Sequence, residues 1–229
     1  NNLFSLKGNT ALVTGGSTGI GLMATVGLVS AGAKVFIVSR KLENCQNAAK
    51  ELNNYGFEGE VIPFRGDLSS EAGIINITNE IYSKNSKLHI LINNAGRTWG
   101  SDLSSFPYDA WAKVLNLNVS AIFYLTQKLV PLLASSSKSD FPSRVVNIGS
   151  VMGEVPMGDG AYSYAASKSA VHHITRILAK ELAERNITVN ALSPGPFQSN
   201  MTDFAIGDSK GTMRVSKRVP LKRIGQTDD

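Results

Sequence analysis

The chain has 229 residues, 42% of them hydrophobic and 18% charged, with 21 glycines and a formal net charge of +5. That length suits one large α/β domain with a buried core, and the composition excludes a disordered, collagen-like or fibrous chain. A lone cysteine, Cys45, excludes an internal disulfide framework, and no run approaches the ~18 apolar residues of a membrane span. No basic-then-apolar leader opens the chain, so a cytoplasmic location is expected and the Asn-x-Ser/Thr matches at Asn76, Asn118, Asn186 and Asn200 are read as chance. Because the sequence opens on Asn1 rather than Met, some residues are expected to precede it.

Short β-rich runs alternate with longer helical patterns from end to end. The first strand, Thr10–Val13, leads into Thr14-Gly15-Gly16-Ser17-Thr18-Gly19-Ile20-Gly21 and a helix near 19–31. A glycine turn between a strand and a helix lets backbone N–H groups reach a pyrophosphate at the helix N-terminus. Its register is T-G-x-x-x-G-x-G rather than G-x-G-x-x-G, so the position after a first strand carries the signal. The second strand, Lys34–Val38, ends in Ser39-Arg40-Lys41 before a helix over 42–54. A fold selecting NAD(H) usually has an acidic residue there for the ribose 2′-hydroxyl. With none at 39–41, and a guanidinium able to pair with a 2′-phosphate, NADP(H) is favoured over NAD(H).

The third strand, Glu60–Phe64, is followed by Asp67-Leu68 and a helix over 69–84, and the fourth, Leu88–Ile92, by Asn93-Asn94-Ala95-Gly96. These short polar junctions either cap helices or line a cofactor crevice beyond the strand ends. A helical stripe over 108–134, from Trp111 through Val114, Val119, Phe123 and Leu129, runs until Pro131. The fifth strand, Arg144–Ile148, closes on Ser150. A helix over 161–184 precedes the sixth strand, Thr188–Leu192, which ends in Ser193-Pro194-Gly195-Pro196. The pattern predicts a single-domain α/β fold over 1–229, a doubly wound parallel sheet (a Rossmann fold) with right-handed crossovers and helices on both faces. The basic stretch Lys210–Arg223 lacks the interleaved aromatics of a nucleic-acid site and reads as a solvated face, with attraction of an anionic cofactor or substrate second.

Tyr164 and Lys168 are four residues apart, which leaves both on one helix face. An ammonium beside a phenol favours the phenolate. From a reference pKa near ~10, reaching neutrality takes about 4 kcal/mol of differential stabilisation. Such a tyrosine exchanges a proton with a substrate oxygen. The Ser150 hydroxyl, on the same sheet edge, can donate to a substrate carbonyl. Taken alone, the pair reads better as a half-buried tyrosine beside a solvated lysine on an ordinary helix, because the spacing is common by chance; its surroundings decide. Tyr162 lies six residues from Lys168, roughly 120° around the helix, and suits a substrate-pocket or packing role. His172 and His173 diverge, with no carboxylate or cysteine at ligand spacing, so no metal is expected. Trp99, Met152, Val155, Pro156 and Met157 either wall an apolar pocket or anchor loops.

Taken together, Thr14-Gly15…Gly19-Ile20-Gly21, Asn93-Asn94-Ala95-Gly96, Asn118, Ser150, Tyr164…Lys168 and Pro194-Gly195 resemble the short-chain dehydrogenase/reductase family across essentially the whole chain. The resemblance implies a catalytic tetrad of Asn118, Ser150, Tyr164 and Lys168. Tyr164 would act as general acid/base, Ser150 would position the carbonyl, Lys168 would hold the nicotinamide ribose, and Asn118 would kink its helix around a relay water. It implies cofactor contacts from Gly15, Ser17, Thr18, Gly19, Ile20, Gly21, Ser39, Arg40 and Lys41. It adds Asp67 and Leu68 at the adenine, and Asn93, Ala95 and Gly96 between adenosine and ribose. Pro194, Gly195, Phe197 and Ser199 would lie near the carboxamide, with Trp99, Met152, Met157 and Tyr162 toward substrate. Trp99-Gly100, Asn147-Ile148-Gly149-Ser150-Val151, Met157-Gly158 and Ser199-Asn200-Met201-Thr202 resemble β-ketoacyl reductases of the rhamnolipid-associated type.

The family normally continues past Gly225 with a helix and a last strand, part of the usual dimer or tetramer interface, and these are expected to be lacking here. Either the sequence is incomplete or this edge is open, which would leave an unpaired strand prone to aggregate; a peroxisomal address stays open and would sit on that further C-terminus. Residues 198–222 resemble the substrate lid. The reading is an NADP(H)-dependent oxidoreductase acting on a carbonyl or secondary alcohol, a small-molecule enzyme that is a homodimer or homotetramer and binds neither nucleic acid nor membrane. The alternatives are NAD-dependent alcohol oxidation on the same fold, and a non-catalytic NADP(H) sensor, against which the complete tetrad argues.

Overall fold

The computed structural model describes residues 4–157, 160–199, 201–202, 206–227 and 229. Strands β1 (Thr10–Thr14), β2 (Lys34–Ser39), β3 (Glu60–Arg65), β4 (Ile90–Asn93), β5 (Ser143–Ile148) and β6 (Ile187–Leu192) form one six-stranded sheet in the order β3-β2-β1-β4-β5-β6. Every pairing is parallel. The chain winds outward from β1 to β3, returns to β4 on the other side of β1, and winds outward again. The order therefore reverses between β1 and β4, which opens a crevice at their carboxyl ends.

Helices α1 (Gly19–Ser30) and α2 (Leu42–Asn54) cover one face. Helices α3 (Glu71–Lys84), α5 (Ala121–Ser136) and α6 (Tyr162–Leu182) cover the other. β1 explains why its residues are apolar without alternation: Ala11 and Val13 point into the core beneath α1 and α2, whereas Leu12 joins α3, α5 and α6. With both faces buried, a period-2 pattern disappears. Pro63 lies in β3, which among the described residues is an edge strand beside β2, where a missing N–H is tolerated.

The long helical stripe departs from expectation in two ways. It is broken into α4 (Tyr108–Leu115), a π turn (Asn116–Ser120) and α5, instead of one α-helix. It also continues through Pro131 to Ser136, so the proline is accommodated inside α5 rather than ending it. By length and composition the Tyr108–Ser136 segment could cross a membrane; here its apolar residues Leu125, Leu129, Leu132 and Leu133 are core. Within the basic stretch, Asp208 caps a short helix, α7 (Ser209–Ser216), through the Gly211 N–H, and Lys210 and Arg214 are exposed.

Candidate active site

The glycine turn sits at the mouth of the crevice. Gly15 and Gly19 have φ of +65° and +53°, a region that L side chains rarely adopt. Gly21 is required by close approach: a Cβ there would lie 2.2 Å from the Gly15 carbonyl oxygen and 2.4 Å from Asn94 Nδ2. Thr18 caps α1 with no side-chain hydrogen bond, so the first-turn N–H groups keep their capacity for an anion. Ser17 is buried, and Ile20 packs on the core beneath α1. Asn94 Nδ2 donates to the carbonyls of Thr14 and Gly15, and Thr14 Oγ1 accepts from the backbone N–H groups of Asn94 and Ala95. Two strand ends are thereby tied together.

Within the Asn93-Asn94 pair the two side chains have different duties. Asn93 is buried, and its amide donates to Asn147 Oδ1 at 2.8 Å and Thr126 Oγ1 at 3.1 Å. Asn147 in turn donates to Thr175 Oγ1 at 2.9 Å. This network joins β4, β5, α5 and α6 under the site, so the Asn93 side chain is scaffold. Buried amides need such partners, since an unsatisfied one costs about 1–3 kcal/mol.

At the outer end of the crevice, Arg40 and Lys41 are exposed, and Ser39 Oγ donates to the Lys41 carbonyl. Arg65, the last residue of β3, is opposite Ser39 in the parallel register. Asp67 is held below the usual carboxylate range, first by the Ser69 N–H and further by Arg40 and Arg65. Leu68 is buried beside it. Asp67 thus feels two guanidiniums where one was foreseen. Arg65 was missed because only strand register reveals its position.

Asn118 lies in the π turn, fully buried. Its Oδ1 accepts from the Arg97 N–H, and its Nδ2 donates to the Arg97 carbonyl and to Ser167 Oγ, each at 2.9 Å. Ser167 Oγ donates to the Tyr164 carbonyl at 2.7 Å. A Cβ on Gly96 would approach Asn118 Oδ1 to 3.2 Å, which puts the β4 loop against the same amide. A π turn re-aims the helix where such a side chain must face inward.

Tyr164 and Lys168 share one face of α6, with Lys168 Nζ 5.5 Å from the Tyr164 ring centroid. The electrostatics differ from the sequence expectation. Burial pushes the Tyr164 phenol up, and a hydrogen bond with Ser150 pulls it partly back. Lys168 is itself buried and is pushed down to about 8 by desolvation. Its ammonium is directed at the Ile148 carbonyl, 2.6 Å away, instead of at the phenol oxygen. Desolvation thus exceeds the charge effect. Ser150 is buried at the end of β5, where its Oγ accepts from the Met152 N–H.

The loop after β6 closes the other side. Gly149 and Val151 donate to the Leu192 and Pro194 carbonyls, while Gly195 is exposed. Phe197 bridges Gly225, whose missing side chain leaves room for the phenyl ring at 2.4 Å from a would-be Cβ. Ser199 Cβ lies 3.1 Å from the would-be Cβ of Gly19, so this loop touches the start of α1. Toward the outside, Tyr162 packs edge-on against Phe106 with centroids 5.4 Å apart, Trp99 lies under Lys113, and Met152 and Met157 are partly exposed. Gly158 and Asn200 lie outside the described residues. A groove of 580 Å³ between α3 and α5, lined by Leu68, Glu71, Ile74, Val119 and Tyr124, contains none of Ser150, Tyr164 and Lys168.

This geometry matches known proteins over the whole chain. Residues 9–208 fit the short chain dehydrogenase family. The chain belongs to that family. This short-chain dehydrogenase is 45% identical over 226 residues to the rhamnolipids biosynthesis 3-oxoacyl-(acyl-carrier-protein) reductase of Pseudomonas aeruginosa, covering 99% of this chain and 87% of that protein. A 5-keto-D-gluconate 5-reductase of Escherichia coli is 32% identical, over 100% of this chain and 87% of its own length. The solved Pseudomonas aeruginosa RhlG/NADP active-site complex superposes with a TM-score of 0.94 at 44% identity, covering 100% of this chain and 88% of that one. The chemistry of the dehydrogenase is accordingly oxidoreduction between carbonyl and alcohol. Among its described residues no three His, Cys, Asp or Glu side chains gather as for a metal ion.

Proposed function

We propose that the chain is an NADP(H)-dependent reductase of ketone or β-ketoacyl substrates, with Tyr164 as general acid/base. The observation that carries this reading is the convergence of the Ser150 hydroxyl, the Tyr164 phenol and the buried Lys168 ammonium on the edge that also bears the glycine turn. The residues fit a dinucleotide: the space that a Gly21 side chain would fill, the open N–H groups of α1 and the guanidiniums of Arg40 and Arg65, both acting on Asp67, suit a pyrophosphate and a 2′-phosphate. When bound, NADPH supplies the hydride to the carbonyl carbon.

The rest falls to the chain. Ser150 donates a hydrogen bond to the carbonyl oxygen and orients it toward Tyr164. A phenol whose pKa is raised by burial is protonated at neutral pH, the form a general acid needs. Its proton moves to the substrate oxygen, and Lys168, protonated below about 8, offsets the phenolate that remains. Asn118 fixes the turn between Arg97 and Ser167 and so holds the Tyr164 backbone in place.

Support for a β-ketoacyl substrate comes from the 45% relative, whose name states such a reaction, and from the sub-motif Asn147-Ile148-Gly149-Ser150-Val151. The test is NADPH consumption with a β-ketoacyl thioester, a simple ketone and 5-keto-D-gluconate in parallel. Preference for the thioester is expected. Turnover of the sugar acid alone replaces the substrate reading, and turnover of none with NADPH or NADH removes the enzymatic one.

A further inference from the structure

Three buried groups stand outside that mechanism. Cys45 Sγ donates to Ser39 Oγ, and His89 Nδ1 accepts from the Thr10 N–H at 3.0 Å, far from the strand ends that carry the chemistry. His172 is different. It sits on α6 one turn beyond Lys168 and is only 6% exposed. Its Nε2 is 3.3 Å from the Ser150 N–H nitrogen and 3.2 Å from Ser193 Oγ, while Nδ1 is 3.4 Å from Glu154 Oε1. Ser193 Oγ is also 3.1 Å from Glu154 Oε1. The imidazole occupies room that side chains at two neighbouring glycines would need: a Cβ on Gly149 would lie 2.0 Å from Nε2, and one on Gly153 2.8 Å from Cε1.

A backbone N–H can only donate, so the nitrogen facing Ser150 must present its lone pair. The ring proton then belongs on Nδ1, the side of the Glu154 carboxylate. We propose that His172 is a positioning residue for Ser150, a neutral imidazole that fixes the Ser150 backbone through Nε2, with the Glu154 carboxylate near Nδ1 but no hydrogen bond to it. Protonation puts a second donor against the Ser150 N–H and drives the serine from its place. The charged groups facing the ring are Glu154, on the turn after β5, and Lys168 and Arg176, on α6; Ser193, at the end of β6, brings a hydroxyl. Burial keeps the ring neutral, Glu154 opposes that, and Lys168 and Arg176 reinforce it. The acid limb of activity therefore belongs to His172 and lies below the ordinary ~6.5 of histidine.

This inference rests on Ser150 as the carbonyl-orienting hydroxyl, and its test has one arm that needs no turnover. In the free protein, the Ser150 backbone amide resonance is followed from about pH 7 to pH 4.5, across the histidine range, in the wild type and in His172→Gln, whose side-chain oxygen accepts without titrating. The amide should titrate in the wild type and not in the variant; no titration in the wild type, or the same titration in both, overturns the proposal whatever the substrate is. In the kinetic arm, His172→Leu, which has no acceptor, should lose about tenfold in kcat with the NADPH KM unchanged, the signature of lost orientation rather than lost binding. His172→Gln should recover most of that loss and flatten the acid limb. Wild-type kcat and pH profile in His172→Leu, or an intact acid limb in His172→Gln, overturns it. If the leucine variant does not fold, the amide titration and the glutamine profile decide.

Discussion

Replacing Lys168 with methionine keeps most of the length of a buried, unbranched side chain and removes its charge. Burial lowers the lysine from 10.5 to about 8, and at about 1.4 kcal/mol per pKa unit this corresponds to about 3 kcal/mol between folded and unfolded states. The sign follows from proton counts. Below about 8 both states hold the proton, and the folded state carries the full cost of a desolvated ammonium. As pH rises from there toward 10.5, the folded lysine releases its proton while the unfolded one keeps it, so that cost is relieved. Lys168→Met has no such titration. Urea unfolding of both proteins should thus show wild-type stability gaining about 3 kcal/mol on the variant between pH ~7 and ~10.5, or about 6–12 °C in Tm for a chain of this size. Other titrating groups are common to both proteins and cancel. A gap independent of pH refutes the desolvated-ammonium account of the site.

Gly21→Ala should force a Cβ into a position 2.2 Å from the Gly15 carbonyl and weaken NADPH binding at least about tenfold, as overpacking of this kind costs about 1–3 kcal/mol; unchanged affinity by fluorescence titration would place the pyrophosphate elsewhere. Asn147→Ala removes its hydrogen bonds with Asn93 and Thr175, leaving Asn93 Nδ2 on Thr126 Oγ1 alone, and should cost about 1–3 kcal/mol of unfolding free energy, with a loss under about 0.5 kcal/mol arguing against the buried network. Arg40→Asp should raise the KM for NADPH and leave that for NADH unchanged or lower, since a carboxylate repels a 2′-phosphate; an unaltered preference between the two contradicts the role given to Arg40.

The sheet was legible because strands buried on both faces read as apolar runs, and the turn after β1 because its glycines follow a strand directly. The Tyr164–Lys168 pair was legible from helical spacing, and the structure keeps both on one face. What spacing could not give was burial. Lys168 looked like a source of positive charge for the phenol, yet its desolvation and its bond to the Ile148 carbonyl depend on how β5 and α6 pack. The π turn at Asn118 was hidden from the apolar stripe, which passes through it almost in phase; a kink there was expected only from the family resemblance. Arg65 and His172 escaped for a different reason. Each is placed by residues remote in sequence, Arg65 by the register with Ser39 and His172 by a contact 22 positions back to Ser150. Asn93 and Asn94, adjacent and identical in type, divide into scaffold and loop clamp only once their amides are seen to face different strands.

The central claim is that the Tyr164 hydroxyl transfers the proton to substrate oxygen. Tyr164→Phe removes that oxygen and keeps the ring that lies beside Lys168. Turnover and NADPH affinity measured on the same preparation test it most directly. The account predicts a loss of at least about a thousandfold in kcat, at the strong end for an essential acid, with the NADPH Kd within about twofold of wild type. Turnover at wild-type levels in Tyr164→Phe would contradict it outright.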